Sequence, residues 1–311
     1  MNQIRTSALI GLGALGILFG RKMPGVQVIA DEARIARYAA QPVVCNGEEC
    51  RFSYVTPAQG KPVDLLLVAV KATVLDQAIA DMKNFVGPDT VILSVLNGIT
   101  SEEHIETAYP GRTLWSVAIG MDATRSGRTL VFNQAGKIQF GERDGAMTGR
   151  VQAVADLLDG TGLHYQTTAH IREEIWSKFR LNVCNNLPQA ILGAGVGCYR
   201  DSAHMQAISG GLRRELEAIA AAKGIDLSLV DSAISYGSLV KPTARYSTLQ
   251  DLDAHRHTEI EMFSGALIRM GQELGIPTPY NEYTYHMIKA MEEKNDGLFD
   301  YAGGEAATRA R

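Results

Sequence analysis

The chain is poor in cysteine, has no dominant charge and contains no long apolar run. Its four cysteines are Cys45, Cys50, Cys184 and Cys198. Their spacings fit neither a CxxC pair nor a zinc-ligand set. They read as reduced thiols, which places the protein in the cytoplasm. The 30 Lys and Arg residues face 34 Asp and Glu, a formal net charge of −4. That balance supplies no basic face for nucleic acid. No uninterrupted apolar run reaches the roughly 18 residues of a membrane-spanning helix, so no membrane span is expected. Arg5 followed by apolar Ala8–Phe19 has an outward likeness to a secretory signal. Three glycines break that stretch and no A-x-A site follows it, so it is assigned to the fold. Internal repeats and long low-complexity stretches are also missing. What is there is an ordinary globular composition, 46% hydrophobic and 21% charged over 311 residues, enough for two domains.

The most specific signal lies at the start. Thr6–Ile10 is a short apolar run, and Gly11-Leu12-Gly13-Ala14-Leu15-Gly16 follows at once. This is GxGxxG between a first strand and a first helix. The first glycine permits a tight turn, the second lets a pyrophosphate approach the backbone, and the third lets helix pack closely on strand. The phosphates would sit at the helix N-terminus, where N–H groups and the dipole favour negative charge. Val26–Ala30 reads as the second strand, and Asp31 follows it, where such folds place an acid for the adenosine ribose.

The first half continues in βαβ alternation. Val63–Val70 and Val91–Leu96 are near-continuous apolar runs, expected of parallel strands buried on both faces, with helical Ala72–Phe85 between them. Leu114–Ile119, Leu130–Asn133 and Lys137–Phe140 read as shorter strands that extend or edge the sheet. Arg150–Asp159 reads as a helix and Leu163–Thr167 as a last strand. Beyond them strands vanish. Helical patterns cover Ile171–Leu192, Met205–Lys223, Leu227–Leu239, Leu249–Leu274 and Asn281–Glu293. The expected architecture is α/β: a Rossmann-type doubly wound sheet over residues 1–168 and an all-α domain over 169–294. Residues 295–311 read as a disordered tail.

Candidate chemistry follows the strand ends, where ligands of open sheets bind. Lys71 closes one apolar run, placed to meet a phosphate or a carboxylate, or simply to snorkel at the sheet rim. Asn97-Gly98 closes the next and serves equally as a plain turn. In the helical half, Lys178, Asn182 and Asn186 lie four apart and share a helix face. Among apolar neighbours such as Trp176 and Phe179 they suggest a polar cleft, with a solvated face as the alternative. Ser247-Thr248-Leu249-Gln250 matches a capping box, so Ser247 reads as a helix cap. Glu259 lies further along the same helical pattern beside His257 and Glu261, which alone reads as charged surface. The seven histidines show no strong ligand spacing, and His255 and His257 read as helix surface.

Taken together these motifs resemble the ketopantoate reductase family over roughly residues 4–293. The matching segments are Gly11–Gly16, Lys71, Asn97-Gly98, Lys178–Asn182 with Asn186, Ser247–Asp251, Thr258-Glu259-Ile260 and Ile276-Pro-Thr-Pro-Tyr-Asn281. The resemblance implies NADPH-dependent reduction of 2-dehydropantoate to pantoate, towards pantothenate and coenzyme A. It implies Lys178 as general acid and Glu259 as a support to catalysis or substrate placement. It implies Asn182, Asn186 and Ser247 as substrate-binding residues, with Lys71 and Asn97 where cofactor and substrate meet. No metal is expected, because a lysine can supply the positive charge that a ketone oxygen needs. A helical domain of this length often dimerises, so a homodimer is one expectation.

Two residues depart from the family pattern. Asp31 stands where NADPH enzymes often carry arginine, and a carboxylate favours a free 2′-OH over a phosphate, so NAD is the alternative cofactor. Arg34 and Arg37 follow one and two helical turns on, within reach of a phosphate. Thr248 replaces a frequent methionine and bears on pocket shape. The competing functions are a reductase for another 2-oxo or 3-hydroxy acid on the same scaffold and a protein that senses NAD(P) without turnover.

Overall fold

In the computed structural model, residues 3–230 and 241–299 are described. The chain forms two compact units, 1–175 and 176–311, divided within one helix.

The first unit contains β1 (Ser7–Ile10), α1 (Ala14–Gly20), β2 (Gln27–Ile29), α2 (Glu32–Ala40), β3 (Val44–Cys45), β4 (Glu48–Glu49), β5 (Ser53–Val55), β6 (Leu65–Val68), α3 (Leu75–Asp81), β7 (Val91–Ser94), α4 (Ser101–Ala108), β8 (Thr113–Ser126), β9 (Thr129–Gly141), α5 (Gly149–Asp159) and β10 (Tyr165–Thr167). The order β5-β2-β1-β6-β7-β8 is parallel throughout. In sequence terms this is the 3-2-1-4-5-6 arrangement of a dinucleotide-binding sheet, with its switch point between β1 and β6. The apolar runs are continuous because both faces are covered. Leu65 and Leu67 pack into one core cluster, Leu66 and Val68 into the other.

The expected short strands of residues 114–140 are two long ones. β8 and β9 pair antiparallel over almost their full lengths, with an irregularity at Asp122/Ala123. Their two-residue turn places Gly127 first at φ +56°, the position where a tight hairpin matching strand twist requires positive φ. Alternation was visible only in pieces because a bulge resets the period of two. The unforeseen strands β3, β4 and β5 are two or three residues long.

The second fold region is helical: α6 (Ile171–Leu181), a π-helical turn (Asn182–Asn186), α7 (Leu187–Leu192), α8 (Cys198–Asp201), α9 (Ala203–Ala222), α10 (Ser247–Asp253), α11 (Ser264–Leu274) and α12 (Pro279–Asn295). α12 packs on α7, α9 and α11, and Phe179, Leu216, Phe263, Leu267 and Ile288 are fully buried. Two helical expectations change. The helix expected over Ile171–Leu192 is widened at its centre. Pro188 lacks an N–H and its ring would strike the carbonyl four residues back, and the chain takes a π-turn there.

The helix expected over Leu249–Leu274 is two helices. α10 stops at Asp253, with His255 at φ +52°. The His255 N–H donates to the Leu252 carbonyl at 3.0 Å and the Arg256 N–H to the Asp251 carbonyl at 2.8 Å. This is a Schellman stop, so Glu259 and His257 lie in the following loop and not on the helix of Ser247. Residues 231–239 of the expected Leu227–Leu239 helix lie outside the described residues, as do residues 300–311 of the expected tail. Asn295, assigned to that tail, ends α12 and donates to the Leu252 carbonyl at 2.9 Å.

Candidate functional site

In the sheet unit, the glycine loop joins β1 to α1 at the switch point. Gly11 has φ +97°, and a Cβ there would meet the Ala69 carbonyl oxygen at 2.5 Å. A Cβ on Gly16 would meet the Gly11 oxygen at 1.9 Å. Both glycines are required by the fold. Gly13 is different. Its φ is −72°, and its nearest neighbour would be the Ala69 oxygen at 3.5 Å, an ordinary contact. Protein packing does not demand a glycine at position 13, but a dinucleotide backbone approaching α1 does. Gly13 also caps α1 without a side-chain acceptor. The loop therefore fits a pyrophosphate, with Leu12, Ala14 and Leu15 completing the turn.

Arg125, from β8, donates to the Leu12 carbonyl and, at 3.0 Å, to the Gly127 carbonyl. Sequence reasoning did not find this cation beside the loop, because a hairpin had to form to bring it there. Lys71 lies three residues past β6, exposed, at the start of the segment leading into α3. Asn97 lies three residues past β7 and half-buried, followed by Gly98 at φ +91°. Asp31 follows β2 and caps α2. One of its carboxylate oxygens accepts from the Arg34 N–H at 2.7 Å, and the other faces Arg34 Nε at 3.3 Å.

In the helical unit, Lys178 is half-buried on α6 between buried Ser177 and Phe179, one turn before Asn182. Asn182 and Asn186 open and close the π-turn, both buried. Asn186 Nδ2 lies 3.4 Å from Asn182 Oδ1 and 3.4 Å from Ser247 Oγ. Asn182 Nδ2 and Asn186 Oδ1 are buried with no hydrogen-bond partner among the described residues. Turning both amides over leaves the same remainder, one donor and one acceptor. A buried amide left unpaired is costly, so this pair has one donor and one acceptor open to a polar partner. The π-turn is held open by Tyr199, whose hydroxyl donates to the Asn185 carbonyl. Burial drives the Tyr199 hydroxyl pKa well above its ordinary value, so it stays a donor. Cys184, also in the turn, is pushed up to about 12 by burial and is no nucleophile.

Ser247 opens α10, but it is not the expected cap. Tyr246 occupies the cap position and its side chain does not cap the helix, and Gln250 Nε2 reaches instead to the Arg245 carbonyl at 2.7 Å. Ser247 is thereby left beside Asn186. Glu259 is half-buried in the loop before Ile260. Its segment is anchored by Glu292 of α12, whose Oε1 accepts from the Thr258 N–H and Oγ1, both at 2.7 Å, while Oε2 accepts from Lys289 at 2.9 Å. Burial pushes the Glu292 pKa up, but the bonds from Lys289 and Thr258 outweigh it and hold it below the usual carboxylate range.

The Ile276–Asn281 motif is structural. Asn281, fully buried, donates through its N–H and Nδ2 to Glu215 at 3.0 and 2.8 Å, and its Oδ1 accepts from Ser264 at 2.9 Å. Glu215 and Glu292 escaped sequence reasoning because each lies in an unremarkable charged helix pattern.

Residues 7–145 match the family described as ketopantoate reductase PanE/ApbA, and residues 170–292 match its C-terminal part. A curated 2-dehydropantoate 2-reductase from Archaeoglobus fulgidus is 25% identical over 296 residues, covering 93% of this chain and 99% of its own. D-mandelate dehydrogenase solved with NADH and anilino(oxo)acetate is similar in structure, with a TM-score of 0.80 at 22% identity over 94% of this chain and all of that one. A dimeric ketopantoate reductase from Staphylococcus aureus has a TM-score of 0.77 at 18% identity, again over 94% of this chain and all of that one. The two structural likenesses establish the fold.

Proposed function

The chain belongs to the ketopantoate reductase family, and from that premise we propose that it reduces 2-dehydropantoate to pantoate with a nicotinamide dinucleotide, a step towards pantothenate and coenzyme A. The observation that carries the reading is the donor of Asn182 and the acceptor of Asn186, unpaired among the described residues and buried one and two turns beyond Lys178, with Asn186 beside Ser247. A substrate with an oxygen acceptor and a hydroxyl donor satisfies both atoms at once, and 2-dehydropantoate carries both.

The dinucleotide, when bound, supplies the hydride. Gly11, Gly13 and Gly16 with Leu12, Ala14 and Leu15 hold its pyrophosphate, and Lys71 and Asn97 complete its binding. Lys178 holds positive charge at the ketone oxygen and delivers the proton there as the alcohol forms. Lysine suits the role because its ammonium both stabilises developing negative charge and releases a proton. Asn182, Asn186 and Ser247 orient the acid, Asn97 assists them, and Glu259 supports Lys178.

For the cofactor we propose NADPH. Asp31 would repel a 2′-phosphate, but its carboxylate is already engaged by Arg34, and that guanidinium provides the compensating charge. NADH is the alternative if Asp31 turns to the ribose. A second substrate reading rests on Thr248, buried in α10 beside Ser247: a smaller side chain than methionine leaves room for a different 2-oxo acid. The test is loss of nicotinamide absorbance with 2-dehydropantoate and NADPH, then NADH. Turnover with kcat/KM favouring NADPH supports both proposals. No turnover with either cofactor, but turnover of another 2-oxo acid, transfers the function to that substrate.

A further inference from the structure

Gln189 has no exposed surface, and both ends of its amide are used. Its Nε2 donates to the Ala244 carbonyl at 2.8 Å, and its Oε1 accepts from the Tyr246 N–H at 2.9 Å. It stands on α7, three residues after Asn186, about one turn further along the same stretch of helix. The two main-chain groups it grips belong to the extended segment immediately before Ser247. A glutamine buried in an apolar helix bundle is costly unless every amide atom is paired. Here the pairing joins the helix that carries the asparagines to the segment that delivers the serine. The segment is held further by main-chain bonds, Val196 N–H to the same Ala244 carbonyl at 3.0 Å and Gly197 N–H to the Pro242 carbonyl at 2.9 Å, and from its C-terminal side by Gln250 Nε2, which donates to the Arg245 carbonyl at 2.7 Å.

We propose that Gln189 is a positioning residue. Its paired bonds fix Ser247 against Asn186 and thereby determine how tightly the site grips its 2-oxo acid, without touching that acid. The side-chain chemistry is specific. The role requires one donor and one acceptor about two ångströms apart on a neutral group, which an amide or a protonated carboxyl offers and a leucine does not.

The inference rests on the reading that Asn182, Asn186 and Ser247 hold a 2-oxo acid, and the experiment separates the two. Wild-type protein, Gln189→Leu, Gln189→Glu, Ser247→Ala and the Gln189→Leu/Ser247→Ala double variant are assayed with 2-dehydropantoate and NADPH. NADPH binding is measured independently by its fluorescence. For Gln189→Leu, the KM of the acid should rise roughly tenfold or more, with kcat and the NADPH Kd changed far less. Gln189→Glu should approach wild-type KM at low pH, where a protonated carboxyl still donates to Ala244, and lose it as pH rises. The double variant should be no worse than the poorer single one, because both changes remove the same placement.

An unchanged KM in Gln189→Leu, or fully additive effects with Ser247→Ala, overturns the proposal. If Gln189→Leu does not fold, a Gln189→Glu KM that follows the wild-type pH profile overturns it equally. A wild-type protein that turns over no 2-oxo acid sinks the underlying reading and this inference with it.

Discussion

Glycines 13 and 16 look interchangeable in a motif and are not in the molecule. Gly16→Ala drives a Cβ to 1.9 Å from a backbone oxygen, so it should destabilise the sheet unit by several kcal/mol or prevent folding, as overpacking against immovable backbone does. Gly13→Ala should leave the thermal midpoint near wild type and weaken dinucleotide binding severely, as read by calorimetry with NADPH. A folded Gly13→Ala protein with wild-type affinity would remove the pyrophosphate from this loop. Lys178→Ala should lower kcat by about 10²–10⁴, the usual worth of a positioned acid, while nicotinamide binding persists. Among the candidate residues, the glycines and the Lys178/Asn182/Asn186 stripe were legible because their spacing alone implies a turn or a face. Asp31 was legible as an acid in the right place, but not as the cap of α2 paired with Arg34. That pairing depends on the local turn and not on its distance from the glycines.

Helix ends show why some elements could be read and others could not. α9 and α11 stop where Gly224 and Gly275 take positive φ, and both stops stand out in the sequence because glycine is the default there. α10 stops in the same hydrogen-bonding pattern with His255 in the left-handed position. A histidine there carries no such signal, so two helices read as one. The π-turn did have a signal, Pro188 inside a helical pattern, and a proline should have counted against an unbroken helix. π-turns concentrate at functional positions, and here the turn carries both asparagines. Its carbonyl at Asn185 relies on Tyr199. Tyr199→Phe should therefore raise the KM of the 2-oxo acid several-fold and cost about 0.5–1.5 kcal/mol of stability, the net worth of one such bond. Urea unfolding and steady-state kinetics check both effects, and an unchanged KM would show that the turn holds itself.

At the scale of the whole molecule, each unit carries a buried carboxylate held below its ordinary pKa. In the sheet unit burial pushes Glu142 up, but Arg150 and Thr148 outweigh it, with Arg150 Nε and Thr148 Oγ1 both at 2.6 Å. In the helical unit Lys289 and Thr258 do the same for Glu292. A folded-state pKa below the unfolded value stabilises the protein above the unfolded pKa, and that stability is lost as pH falls through the folded one. Stability should therefore hold near neutrality and decline below about pH 5, into and beneath the usual carboxylate range. Glu292→Gln should lower neutral-pH stability by roughly 1–3 kcal/mol and flatten the acid decline. An acid slope identical to wild type in urea titrations would assign the decline to other groups.

Fold class, the central strands β1, β2, β6 and β7, and the glycine loop were all present in one-dimensional patterns. Apolar runs report burial on two faces, and glycine reports positive φ, so local chemistry is enough to specify them. The buried amide atoms of Asn182 and Asn186, the bonds from Gln189 to the segment before Ser247, and the anchoring of Thr258 by Glu292 required the folded chain. Whether a buried amide is satisfied depends on partners tens of residues away, and no spacing along the sequence records which of its hydrogen bonds the fold leaves unmade.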